Sequence, residues 1–283
     1  MSAPNREQAE RWNNRDEVGQ WIDSKLEHDQ MLEPFIDMLT EGARLESGDR
    51  VLDVGCGSGA TTIAAARVVA PGTVVGVDLS GPMLDLGRAD ADEAGVHNIS
   101  FQQADAQTNS FDRDAFDVVT SRFGIMFFDD PVAAFRNLHA AVRPGGRLAF
   151  VCWQLASANE WLRVPAAAFA QHVPPQEVGG APGTPGMFAF ADPVRATSVL
   201  QAAGWHDVRT DDTHTPIYVG GHGTVEHAVD FLRAGSIGRT LLSGADPDTQ
   251  ARAIEAVRAA FEPHHDGRGV RLDAAVWLVT ARA

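Results

Sequence analysis

Three glycines at alternate positions, Gly55, Gly57 and Gly59, follow an apolar run that carries one acid, Val51-Leu52-Asp53-Val54. Without a Cβ at these positions the main chain can turn tightly and lie against a ligand. Helix-compatible residues from Ala60 to Ala70 come next, so the turn opens onto a helix N-terminus whose free N–H groups face that ligand. A second apolar run, Thr73-Val74-Val75-Gly76-Val77-Asp78, ends in an acid about twenty residues past the glycines, where a carboxylate accepts from ribose hydroxyls. The chemistry that suits this spacing is retention of a nucleotide-like cofactor by backbone amides, with Asp78 on its sugar.

Gly55, Gly57 and Ala60 also spell GxGxxA, the dinucleotide fingerprint, so an NAD-dependent oxidoreductase competes with an S-adenosylmethionine (SAM) enzyme here. Inventory removes one version of the NAD reading. The chain has a single tyrosine, Tyr218, and a single lysine, Lys25, so the Tyr-xxx-Lys pair of short-chain dehydrogenases cannot be assembled. Asp53 inside the first strand points the other way. The run Val51 to Ala60 resembles motif I of class I SAM-dependent methyltransferases, an acid followed by GxGxG. Asp78-Leu79-Ser80-Gly81-Pro82-Met83-Leu84 is similar to that family's segment after the second strand, and Phe101-Gln102-Gln103-Ala104-Asp105-Ala106 to its third strand and turn. Phe116 to Arg122 resembles the fourth strand, and Leu138 to Val151, with Arg143-Pro144-Gly145-Gly146-Arg147, the LxPGG turn into the fifth. Five matches in order cover about residues 48 to 154.

The resemblance implies SAM as cofactor and S-adenosylhomocysteine as product. Gly55, Cys56 and Gly57 would form the loop, with Asp53 at the ammonium end of the donor and Asp78 on the ribose. Leu79 or Met83 would lie against adenine, Asp105 and Ala106 at its edge, and Ser121, beside Arg122, at the methionine part through its backbone. Blander readings compete: Asp53 pinning the loop backbone, Asp78 capping the next helix, Asp105 as a turn acid, Arg122 paired with a surface carboxylate. No Asn/Asp-Pro-Pro-Tyr sequence follows the fourth strand, so the resemblance does not extend to adenine-N6 methylases.

The elements that must position these residues follow from periodicity. Strands near 73 to 78, 99 to 104, 116 to 121 and 147 to 153 alternate with helices near 59 to 70, 81 to 94 and 131 to 142, the rhythm of a parallel sheet wound on both faces. The expected fold is α/β, a Rossmann-like doubly wound seven-stranded sheet, mostly parallel with the last strand antiparallel, carrying helical cap insertions. Residues 1–47 read as an N-terminal helical cap and 48–283 as the SAM-binding domain, with cap or rim insertions near 155–190 and 222–268. Helices are expected over 161–172, from the Asp192-Pro193 start to Ala203, and near 224–234 and 246–261. Sixth and seventh strands are expected near 207–219 and 274–280, and Pro174 to Gly186 reads as a rim loop.

A formal charge of −15 and only two cysteines bound the function. Phosphate-backbone binding is driven by Lys and Arg, so a nucleic-acid partner is disfavoured. Cys56 and Cys152 suggest no disulfide framework. The polar Ser2–Glu17 stretch and the absence of a long apolar run lead to the expectation of a cytoplasmic protein without a membrane partner, whose oligomeric state, monomer or homodimer, is left open. Trp12, Trp21, Phe123 and Trp153 are the candidate substrate residues, joined by Phe127, Phe128 and Trp161. An aromatic box suits a planar or apolar small-molecule acceptor, quinone-like or of natural-product type, and core packing is the competing reading for each ring. No catalytic side chain follows, since methyl transfer from a sulfonium chiefly needs alignment and exclusion of water. A SAM-binding protein without turnover is the alternative. No metal is expected: His264-His265-Asp266 lacks the spacing of a ligand set.

Overall fold

The computed structural model describes residues 4–176 and 178–283. Residues 1–3 of the expected helical cap and Glu177 of the expected rim lie outside them. Seven strands form one sheet: β1 (Arg50–Val54), β2 (Thr73–Asp78), β3 (Ile99–Gln103), β4 (Phe116–Arg122), β5 (Val142–Trp153), β6 (His206–Tyr218) and β7 (Arg271–Arg282). Helices α1 (Arg6–Arg11), α2 (Arg15–Asp23), α3 (Lys25–Leu32) and α4 (Pro34–Gly42) precede β1. The crossovers are α5 (Ala60–Val69), α6 (Gly81–Glu93) and α7 (Pro131–Ala141); α8 (Glu160–Phe169) and α9 (Pro193–Ala202) separate β5 from β6. Between β6 and β7 lie α10 (Val225–Ala234), α11 (Ser236–Leu242) and α12 (Pro247–Phe261).

The strand order is β3-β2-β1-β4-β5-β7-β6. The pairs among β1 to β5 are parallel, and β7 runs antiparallel to both β5 and β6. This is the doubly wound sheet that the sequence predicts. Its order reverses between β1 and β4, so loops leaving the carboxyl ends of those neighbours diverge and open a crevice. Central β1 is buried from Val51 to Val54, as a strand covered on both faces must be, whereas β6 at the sheet margin keeps polar residues on alternate, mostly exposed positions. Three helices open on Asp-Pro: Asp130, Asp192 and Asp246 accept from the backbone of Ala133, Val194 and Thr249 and fix where α7, α9 and α12 begin.

Three details depart from the sequence reading. The N-terminal segment is four short helices rather than one run, because Trp12–Asn14, Ser24 and Glu33 interrupt it; α4 plants the buried Phe35 and Leu39 on the sheet, and α3 buries Met31. Strand β5 begins at Val142, five residues early, since Phe116 pairs with Val142 and Val118 with Arg147, leaving Arg143 to Gly146 as a bulge within the strand. The insertion before β7 holds a third helix, α11, that starts where Gly235 ends α10. Among the described residues no helix is long and apolar enough to cross a membrane.

At the amino end of the sheet Asp117 ties three elements, accepting from the Arg50 backbone N–H, from Arg50 Nε and from Arg143 Nε. Burial works against its ionisation, but the two guanidiniums and the N–H outweigh it and hold the carboxyl at about 2, against an ordinary 3.8. A depressed carboxyl adds stability above its unfolded value and loses it as pH falls toward the folded one. Asp117→Asn is therefore expected to remove the part of acid sensitivity that falls between about pH 4 and pH 2. Tm measured against pH for the two proteins checks this; parallel curves across that window would contradict it.

Candidate functional site

The glycine turn is held by backbone before any ligand arrives. Gly55, Gly57 and Gly59 have φ of 65°, 55° and 82°, a region L side chains rarely adopt, and the N–H groups of Gly55 and Cys56 both donate to Val77 O, at 2.8 and 3.1 Å. Asp78 closes the arrangement: Oδ2 accepts from Gly57 N and Oδ1 from Ser80 N, each at 2.8 Å. Capping of α6 falls to Ser80, whose Oγ accepts from Met83 N, and not to Asp78. Burial raises the Asp78 carboxyl while the Ser80 and Gly57 N–H groups pull it back down.

One close approach was not read from the sequence. A Cβ on Gly55 would stand 2.6 Å from Gly124 Cα, and one on Gly124 would stand 2.6 Å from Val54 O and 2.7 Å from Gly55 Cα. The turn after β4 thus lies directly on the glycine loop. Gly124 follows Phe123 in a segment with no repeat of glycines, so nothing in the pattern marks it.

Asp53 is 1% exposed and borders the same cavity. Its partners are side chains and not the loop backbone: Thr62 Oγ1 donates to Oδ2 at 2.7 Å and Thr120 Oγ1 to Oδ1 at 3.3 Å. Burial pushes its carboxyl up to about 6, with the threonines and the nearby Arg122 charge opposing. Arg122 is half-buried, donates to Leu32 O at 2.9 Å and also borders the cavity. Its carbonyl partner and inward placement replace the surface pairing entertained for it.

The Ser121 side chain is turned to the neighbouring strand β1, whereas contact with the methionine part is expected through its backbone. It is fully buried and donates to Val54 O at 2.6 Å, because alternation along β4 turns it away from the cavity that Arg122 faces. Of the residues expected around the cofactor, Asp53, Gly55, Cys56, Gly57, Asp78, Leu79, Met83, Asp105 and Ala106 all border one cavity. Burial pushes the Cys56 and Cys152 thiols up, so neither is a ready thiolate.

The N-terminal helices close this end. Asn5 Nδ2 donates to Asp105 Oδ1 at 2.8 Å, and Asn5 Oδ1 accepts from Asp129 N at 2.7 Å. Asp105 also accepts from Gln107 N and Thr108 Oγ1, so it organises its own turn. Asn13 Nδ2 donates to Leu79 O at 2.9 Å and Asn13 Oδ1 accepts from Gly81 N at 3.2 Å. Asn5 and Asn13 carry no motif, and their positions come from tertiary docking alone.

The cavity, of about 540 Å³, continues past the glycine loop into an aromatic chamber that includes Trp12, Trp21, Phe123 and Trp153. Phe123 and Trp153 stack with centroids 4.2 Å apart at 10°, and Trp21 stacks on His28 at 3.8 Å and 23°. Trp153 is 4% exposed yet borders the cavity, so core packing and cavity lining coincide at this ring. Phe231, Leu232 and Ile237 from α10 and α11 also border it, beside Arg239. The sequence reading missed His28 altogether. Among the described residues no three His, Cys, Asp or Glu side chains gather as a metal site, and in the His264-His265-Asp266 run Asp266 accepts from Tyr218 while His265 meets Gly223 O.

Residues 51–146 match the family model described as a methyltransferase domain. The chain is 39% identical over 105 residues to aklanonic acid methyltransferase of Streptomyces sp. (strain C5), covering 37% of this chain and 48% of that one. It is 33% identical over 132 residues to demethylmenaquinone methyltransferase of Listeria welshimeri, covering 46% and 56%. The chain thus spans about half the length of the curated relatives it matches. Its fold is similar to the crystal structure of the YcgJ protein of Bacillus subtilis, with a TM-score of 0.56, 19% identity, and 87% of this chain and 97% of that one covered.

The backbone contact at Gly124 is testable. Gly124→Ala drives a methyl group into Val54 O and Gly55 Cα, neither of which can rotate away, and is expected to cost about 1–3 kcal/mol. Gly19→Ala, where nothing lies within 4 Å of the new Cβ, is the control. Thermal unfolding of both checks this, and equal Tm values for the two variants would refute the constraint.

Proposed function

We propose, for a chain whose residues 51–146 match the model of a methyltransferase domain, that the protein transfers the methyl group of SAM to a planar, largely apolar small-molecule acceptor. The observation that carries this reading is the continuity of the cavity: the glycine loop, Asp78 and Asp105 share it with Phe123, Trp153 and Trp21. A protein that only stored SAM would need no second chamber. Relatives named for aklanonic acid and demethylmenaquinone support a small-molecule acceptor of natural-product or quinone type. So does the formal charge of −15, which disfavours a phosphate backbone.

The residues present suit the cofactor. Gly57 faces open space, with only Met83 Cε at 3.6 Å from where its Cβ would be, and Asp78 keeps lone pairs beyond the two N–H groups it already serves. Asp78 holds the ribose, Met83 and Leu79 flank the adenine, Asp53 receives the ammonium and Arg122 the carboxylate of the methionine part. Bound SAM supplies an electrophilic methyl on a sulfonium. The protein aligns the acceptor against the aromatic rings and excludes water through α1 to α3 and α10 to α11.

Calorimetric titration with S-adenosylhomocysteine and with NAD tests the assignment: binding of the first and none of the second is expected, and the reverse would sink it. Asp78→Ala is expected to weaken SAM by about 2–3 kcal/mol, because a charged acceptor is lost from the sugar; unchanged affinity would remove Asp78 from that role. Asp53 gives a pH signature. It titrates near 6 in the free protein and must be ionised to hold an ammonium group, so affinity should fall about tenfold per pH unit below that value. In Asp53→Asn the slope should disappear, and a slope common to both proteins would assign it to another group.

A further inference from the structure

His28 occupies the aromatic chamber in a state that its neighbours dictate. Its Nδ1 lies 2.8 Å from Ser24 O, and a carbonyl can only accept, so Nδ1 carries the proton. Ser24 Oγ, 3.1 Å away, has its own proton committed to Gln20 O at 2.6 Å, so it cannot donate to Nδ1. Nε2 is then an unprotonated lone pair. It has no hydrogen-bond partner among the described residues, and His28 borders the cavity. The ring cannot swing freely: Trp21 covers one face at 3.8 Å, and Phe231 meets it at 4.9 Å and 62°.

Burial favours the neutral imidazole, against the pull of the Ser24 carbonyl. Burial lowers its pKa, and the Arg122 cation on β4 adds to that; Asp29 and Glu27 on its own helix oppose. Asp29 is shared with Lys25, which also pairs with Asp90 on α6, and Glu27 faces His227 of α10 at 3.9 Å. A neutral, oriented imidazole with one free lone pair beside an aromatic slot is the form a general base takes.

We propose that His28 is a catalytic base whose Nε2 takes the proton of a phenol-type hydroxyl on the acceptor, which makes the substrate a planar hydroxylated aromatic. The inference rests on the methyltransferase reading above. As the acceptor O–H bond breaks, its proton passes to Nε2. The oxygen lone pair forms the O–CH3 bond, and the S–CH3 bond of SAM breaks with its electron pair left on sulfur. The products are a neutral aryl ether, S-adenosylhomocysteine and an imidazolium that returns its proton to solvent. Without the base the product would leave as a protonated ether, which a neutral phenol forms poorly.

The test uses the full chain saturated with S-adenosylhomocysteine, with 4-nitrophenol and nitrobenzene as probes that differ by one hydroxyl. At pH 6, 4-nitrophenol is expected to bind about tenfold more tightly than nitrobenzene, and His28→Leu should lose that preference while its affinity for S-adenosylhomocysteine stays within about twofold. A preference that survives in His28→Leu, or one never present, overturns the base. Failure of both probes to bind overturns the acceptor class. Failure of S-adenosylhomocysteine itself to bind brings down the donor assignment, and the base with it. Should the variant not fold, nitrogen NMR of the unsubstituted protein decides: the Nε2 signal must be that of an unprotonated nitrogen and must shift with 4-nitrophenol but not nitrobenzene, and a protonated Nε2 refutes the proposal. With an acceptor in turnover, His28→Gln should lower kcat by about 10²–10⁴-fold without raising the KM for SAM.

Discussion

Backbone presses on backbone where Gly55 meets Gly124, and the geometry of the cavity follows from that contact. Neither residue has room for a Cβ, so the loop after β1 and the turn after β4 lie too close for a side chain on either. Strands β1 and β4 are neighbours at the reversal of strand order, where their outgoing loops should part. They part only beyond this contact, and the space that opens there is the cavity. Asp78 fastens the other side of the loop through Gly57 N, leaving little freedom for the cofactor end to remove on binding.

The sheet and the loop were legible in the sequence because their signals are local. Glycine spacing, an acid inside one strand and another ending the next, and apolar runs between turn residues need no knowledge of distant contacts. Strand β5 shows where locality fails. Its Pro-Gly-Gly reads as a turn before the strand, but pairing with both Phe116 and Val118 extends the strand across it. The direction of the Ser121 side chain was illegible for a related reason. A motif places a residue at the end of β4, but only the alternation of faces tells that Arg122 looks into the cavity and Ser121 into the strand pair.

The N-terminal helices were the least legible part. Their type was readable, their breaks and their docking were not, because Asn5, Asn13 and His28 acquire meaning only from partners 50 to 130 residues away or from the rings around them. Lys25, the sole lysine, shows the same logic from the electrostatic side. It bridges Asp29 on α3 and Asp90 on α6 at 2.6 and 2.7 Å and joins the helical cover to the core. In a chain of formal charge −15, one cation between two carboxylates relieves repulsion as well as making contacts.

Phe123 links the two ends of the cavity. Among the described residues it is one of five non-glycine residues with positive φ, at 64°, and such a conformation costs of order 1–3 kcal/mol. What imposes it is visible on both sides. Gly124, next in the chain, must reach Gly55, while the Phe123 ring lies flat on Trp153 and edge-on to Phe35 at 5.1 Å. An extended backbone at Phe123 would satisfy one of these demands and break the other. The strain is thus the cost of setting the glycine loop and the aromatic wall from one turn.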